Sequence, residues 1–63
     1  MHQNKFSLIK LYTINDDPVY INKKYITRIH QNSVGIIVIQ LSNETSIYTN
    51  EQNIDALAEK LSM

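Results

Sequence analysis

The sequence predicts an α+β domain: a small twisted antiparallel sheet of about four strands in the order β-β-β-β-α, with one C-terminal helix packed on it. Two observations carry this. Near the end, Ile54, Leu57, Ala58 and Leu61 recur at i, i+3, i+4 and i+7, the spacing of one helical face. Before them, runs rich in β-branched and aromatic residues are separated by short clusters of turn residues, so successive strands join as hairpins.

Residues 6–14, Phe-Ser-Leu-Ile-Lys-Leu-Tyr-Thr-Ile, read as the first strand. Asn15-Asp16-Asp17-Pro18 ends it, because Asx side chains bond their own backbone and proline removes a ladder donor. A second strand begins at Val19-Tyr20-Ile21-Asn22, is interrupted at Lys23-Lys24, and resumes over residues 25–30. Ile26 and Ile29 are three apart, which does not suit one face of a flat strand. Either a bend or bulge over residues 23–27 reconciles them, or a single helical turn intervenes.

Gln31-Asn32-Ser33 marks the next turn, and residues 34–41 form the most hydrophobic stretch, with Gly35 marking a bulge or a close backbone approach. Ser42-Asn43-Glu44 connects to an outer strand at residues 45–49. Asn50 is the expected N-cap, with Glu51 at the positive end of the helix dipole. The expected organisation is a single domain over residues 1–63: 1–5 disordered, 6–49 sheet and 50–62 helix.

The chain has 63 residues and no cysteine, so it holds one core and has neither disulfides nor thiolate metal sites to reinforce it. Ile36, Ile37, Val38 and Ile39 are four consecutive branched residues, and both sides of that strand require cover. One narrow helical stripe covers one side. Fully burying a branched residue stabilises by about 1.5–3 kcal/mol, so a wet second side would forfeit much of a marginal stability. The remaining cover must come from strong sheet curvature, as in a small barrel, or from another chain; the second is favoured, as a homodimer or higher oligomer through an interface built on Ile36, Val38, Tyr12 and Tyr48.

Formal net charge is zero, with six basic and six acidic residues, which disfavours bulk electrostatic binding of nucleic acid. No apolar run approaches the roughly 20 residues of a membrane helix, and the N-terminus lacks a signal-peptide layout. A cytoplasmic protein without membrane contact is expected.

Catalysis requires a convergent set of nucleophile, base or metal ligands. His2 lies near the terminus and His30 at a strand end, and neither has a second ligand at metal spacing. Asp16-Asp17 reads as turn chemistry, and Gly35 alone cannot build a phosphate loop. No enzyme, metal or cofactor is expected. Lys23, Lys24 and Arg28, with Tyr25 and His30 nearby, form a basic strip that either grips nucleic acid or guards a solvated strand edge. Tyr12, Tyr20, Tyr25 and Tyr48 read as half-buried sheet residues, and any exposed pair would anchor an interface.

Leu8-Ile9-Lys10-Leu11, Ile14-Asn15, residues 18–22 (Pro-Val-Tyr-Ile-Asn), Ile26 and Ile29, then residues 38–43 (Val-Ile-Gln-Leu-Ser-Asn) and the closing helix, resemble FlbD-type small proteins. That family places Asn-Gly in both hairpin turns, where this chain has Asn15-Asp16 and Asn43-Glu44, so its turns must differ in type or tolerate strain. FlbD-type proteins are associated with bacterial flagella, and similar short proteins occur in phages and mobile elements. The resemblance implies an accessory factor, or an adaptor or inhibitor acting on a host protein, and brings no catalytic residues. Residues 25–61 are also similar to the β-rich core of LytTR DNA-binding domains, which implies the alternative of a small DNA-binding regulator contacting nucleic acid through Lys23, Lys24 and Arg28.

Overall fold

A computed structural model describes residues 8–62. The expected disorder of residues 1–5, the strand start at residues 6 and 7, and His2 lie outside the described residues. The chain runs β1 (Leu8–Tyr12), β2 (Pro18–Asn22), a 3₁₀ turn (Lys23–Tyr25), β3 (Ile26–Gln31), β4 (Ile37–Leu41), β5 (Ser46–Tyr48) and α1 (Ile54–Leu61). The class is α+β, antiparallel throughout, with five strands where the sequence suggested about four.

The extra strand arises because the interruption at Lys23-Lys24 is a break. Asn22 Oδ1 accepts from Lys24 N at 3.0 Å, which caps a single helical turn and ends β2. β3 then carries a register shift between Ile26 and Arg28, so Thr27 is an extra residue against β4. A helical turn and a bulge therefore both occur, and the bulge lets Ile26 and Ile29 face the same core.

β1 and β2 form a two-stranded sheet, and β3, β4 and β5 form a three-stranded one. A Thr13–Thr49 bridge joins them: Ile14 N donates to Tyr48 O and Asn50 N to Tyr12 O, both at 3.0 Å. Thr49 is buried, and its hydroxyl donates to Ile37 O at 2.8 Å, so the junction holds no idle polar group at that side chain.

Three hairpins share one turn. In residues 13–17, 32–36 and 41–45, the fourth residue's N–H bonds the first carbonyl while the first N–H bonds the fifth carbonyl. This is a type I turn followed by a left-handed residue, and Asp16 (φ 64°), Gly35 (φ 92°) and Glu44 (φ 70°) occupy that left-handed position. Gly35 is there for its backbone, since a Cβ would meet nothing within 4 Å. Because this turn takes up Val34 and Gly35, β4 starts at Ile37 and not at residue 34. Asp16 and Glu44 stand where the FlbD-type pattern has glycine, and they adopt the strained conformation instead.

Leu11, Ile21, Ile37, Ile39 and Leu57 form the buried core, with Ile54 and Leu61 packed against it. Ala58, placed on the stripe by its spacing, is exposed: three helical residues suffice on so small a sheet. The helix begins at Ile54 and not at residue 50. Its N-cap is Asn53, whose Oδ1 accepts from Ala56 N at 3.0 Å, while Asn50 is drawn away into a bond with Asp16.

Candidate functional site

The alternation of the strands divides their side chains between two faces. Ile9, Leu11, Val19, Ile21, Ile37, Ile39 and Ile47 point to the core. Tyr12, Tyr20, Val38 and Tyr48 take the opposite parity, and the Thr13–Thr49 bridge carries that outer face from one sheet to the other.

The expected interface residues divide sharply here. Tyr12 and Tyr48 are 41% and 47% exposed. Val38 is 3% exposed within one chain, between its register neighbours His30 and Tyr48. It offers nothing to a partner, which corrects the expectation that it lines an interface. Ile36 is half-buried in a turn, its N–H held by Asn32 Oδ1 at 2.9 Å, and lies outside β4. Ile37 and Ile39 are fully buried, so β4 is dry on both sides within the protomer. The packing imbalance that motivated self-association is therefore absent.

What the outer face does expose is aromatic. Tyr20 is 65% exposed, alongside Tyr12 and Tyr48, and Ile14, 49% exposed, lies in the adjoining turn. Lys10 lies opposite Tyr20 in register, with its Nζ 5.4 Å from the Tyr12 ring centroid and 6.0 Å from that of Tyr20. Tyr12, and to a lesser degree Tyr20, beside the Lys10 ammonium raise its pKa above the ordinary lysine range. Spacing in the sequence flagged the tyrosines but missed Lys10 and Ile14. The register neighbours of Lys10 were not fixed until the hairpin turn was known.

The basic strip is spread over two elements. Lys23 and Lys24 sit on the 3₁₀ turn, Lys23 half-buried and Lys24 with its Nζ 5.9 Å from the Tyr25 ring. Arg28 is exposed on β3 beyond the bulge. Among the described residues, none of the three has a carboxylate within 4.0 Å; the ion pair found is Lys60 with Glu51 at 3.4 Å.

A shallow cleft of about 370 Å³ lies between the first hairpin turn and β5, lined by Ile14, Asp17, Val19, Ile47 and Tyr48 among others. A second hollow of about 300 Å³ is lined by Tyr25, Leu41, Ser42 and Asn43. Among the described residues, no three His, Cys, Asp or Glu side chains are grouped to hold a metal ion, and no helix is long and apolar enough to cross a membrane. Comparison with protein-family models, with curated proteins and with solved structures gave no match.

Proposed function

We propose that this chain is a non-enzymatic protein-interaction module that acts in the cytoplasm and presents the outer face of β1, β2 and β5 to a partner protein. One observation carries the reading. Tyr12, Tyr20 and Tyr48 share one face and are each between 41% and 65% exposed, although the core needs such residues. Clustered exposed aromatics are the usual anchors of protein interfaces, because they bury much area at little conformational cost. The FlbD-type resemblance supports an accessory factor, or a phage-type adaptor or inhibitor of a host protein, as the setting.

The test is site-specific photocrosslinking in the native cell. A photoreactive residue at Tyr48 or Tyr12 is expected to trap a discrete protein adduct. The same residue at Val34, a more accessible turn position at 75% exposure, is expected to trap none. Equal yields at all three positions would refute the assignment of the face.

A second reading is favoured by the basic strip, whose cations have no carboxylate partner among the described residues, beside the exposed Tyr25 ring. Here the chain is a small DNA-binding regulator, as the LytTR likeness implies. Duplex binding would weaken steeply with salt and vanish when Lys23, Lys24 and Arg28 are all changed to alanine. No retention on heparin at low salt removes this reading.

A further inference from the structure

We infer that the free edge of β2 receives a second copy of this chain, pairing antiparallel with itself about a two-fold axis at Tyr20. The inference goes beyond the outer-face reading and does not depend on it. It rests on the phase of the β1–β2 ladder. Thr13 N donates to Asp17 O at 2.9 Å, so Leu11–Val19 and Ile9–Ile21 are the next hydrogen-bonded pairs. The peptide groups of Pro18, Tyr20 and Asn22 therefore point away from β1. Among the described residues, β2 pairs with β1 alone, so these groups form an open edge.

The two terminal strands differ in how they treat that exposure. β3 carries the Thr27 bulge and Arg28, two devices that discourage strand addition, and α1 packs against it. β2 reads Pro-Val-Tyr-Ile-Asn, with no charge and no bulge. Its proline sits at the very end, where it removes one donor without blocking the centre.

Centred on Tyr20, the edge is self-complementary. The two Tyr20 residues exchange both backbone bonds, and each Asn22 N–H meets the Pro18 carbonyl of the second copy. Val19 faces Ile21 of the second copy on the core side, continuing one apolar surface into the other. Just beyond the strand ends, Asp17 falls beside Lys23 of the second copy, a match that the two-fold axis makes twice. Centring on Val19 or Ile21 instead loses these acid–base matches, so charge selects the register. The two Lys10 side chains stand three strand spacings apart, about 14 Å, beyond a screening length of roughly 8 Å at physiological salt.

Sedimentation equilibrium of the full chain tests this, with circular dichroism confirming that each variant is folded. The wild type is expected to dimerise reversibly. Tyr20→Lys, which sets like charges opposite each other at the axis, should raise the dimer dissociation constant by about tenfold or more. Asp17→Lys should weaken the dimer, and Asp17→Lys with Lys23→Glu should restore it to within about twofold, since reversing both charges preserves the pair. This charge-reversal series decides the matter even if Tyr20→Lys does not fold. A wild type that stays monomeric to about 1 mM, or a dimer insensitive to the charge reversals, overturns the inference. So does a dimer lost in Tyr48→Ser but not in the edge variants.

Discussion

Asn50 Nδ2 donates to Asp16 Oδ1 at 3.0 Å, joining two residues 34 positions apart. The bond links the first hairpin turn to the segment leaving β5, on the flank of the Thr13–Thr49 bridge. It gives the strained φ of Asp16 a partner that glycine could not supply. Glu44 holds the same conformation, and its side chain makes no such bond among the described residues.

Glycine at these two positions should therefore act unequally. Glu44→Gly relieves a left-handed residue and should stabilise by about 1 kcal/mol, raising the melting temperature by about 4–8 °C. Asp16→Gly gives up the exposed Asn50 bond, worth about 0.5–1.5 kcal/mol, and should be near neutral. Thermal and urea unfolding of both variants checks the order. An Asp16→Gly gain as large as that of Glu44→Gly would show that the bond contributes nothing.

The true N-cap can be separated from the residue that sequence alone favoured. Asn53→Ala removes the acceptor for Ala56 N and should cost about 1 kcal/mol with loss of helical ellipticity. Asn50→Ala should leave ellipticity unchanged. Its cost should vanish in an Asp16→Gly background, a double-mutant cycle that isolates the bond.

Leu57 is the helix residue that is fully buried, while Ala58 is exposed. Leu57→Ala should cost about 2–5 kcal/mol, enough to unfold much of the population of a domain this small. Ala58→Lys should stay within about 0.5 kcal/mol of wild type. Urea midpoints distinguish the two.

The Lys10 ammonium should titrate above its ordinary range in the wild type. Most of that elevation should disappear in Tyr12→Phe and less of it in Tyr20→Phe, following the order of their contributions. Carbon-detected NMR of the lysine side chain reads this directly. Because the folded value is raised, any contribution to stability is present below the unfolded value and fades as pH rises through the folded one. Lys10 is solvent-exposed, so the effect on unfolding should be slight.

The periodic part of the fold was legible from the order of residues alone. Alternation placed the strands, the spacing of Ile54, Leu57 and Leu61 oriented the helix, and clusters holding Asn or Asp located the turns, since each depends on residues close in the chain. The rest was set by contacts between distant parts of the folded chain. Folding made Asn53 the cap, while Asn50 is held at the sheet junction by Tyr12 O and by Asp16, both far away in sequence. It buried Val38 between strands that meet only after two hairpins close, which removed the first argument for a partner. And it brought Tyr12, Tyr20 and Tyr48 onto one face through a single bridge, a placement fixed by strand register, which no local pattern encodes.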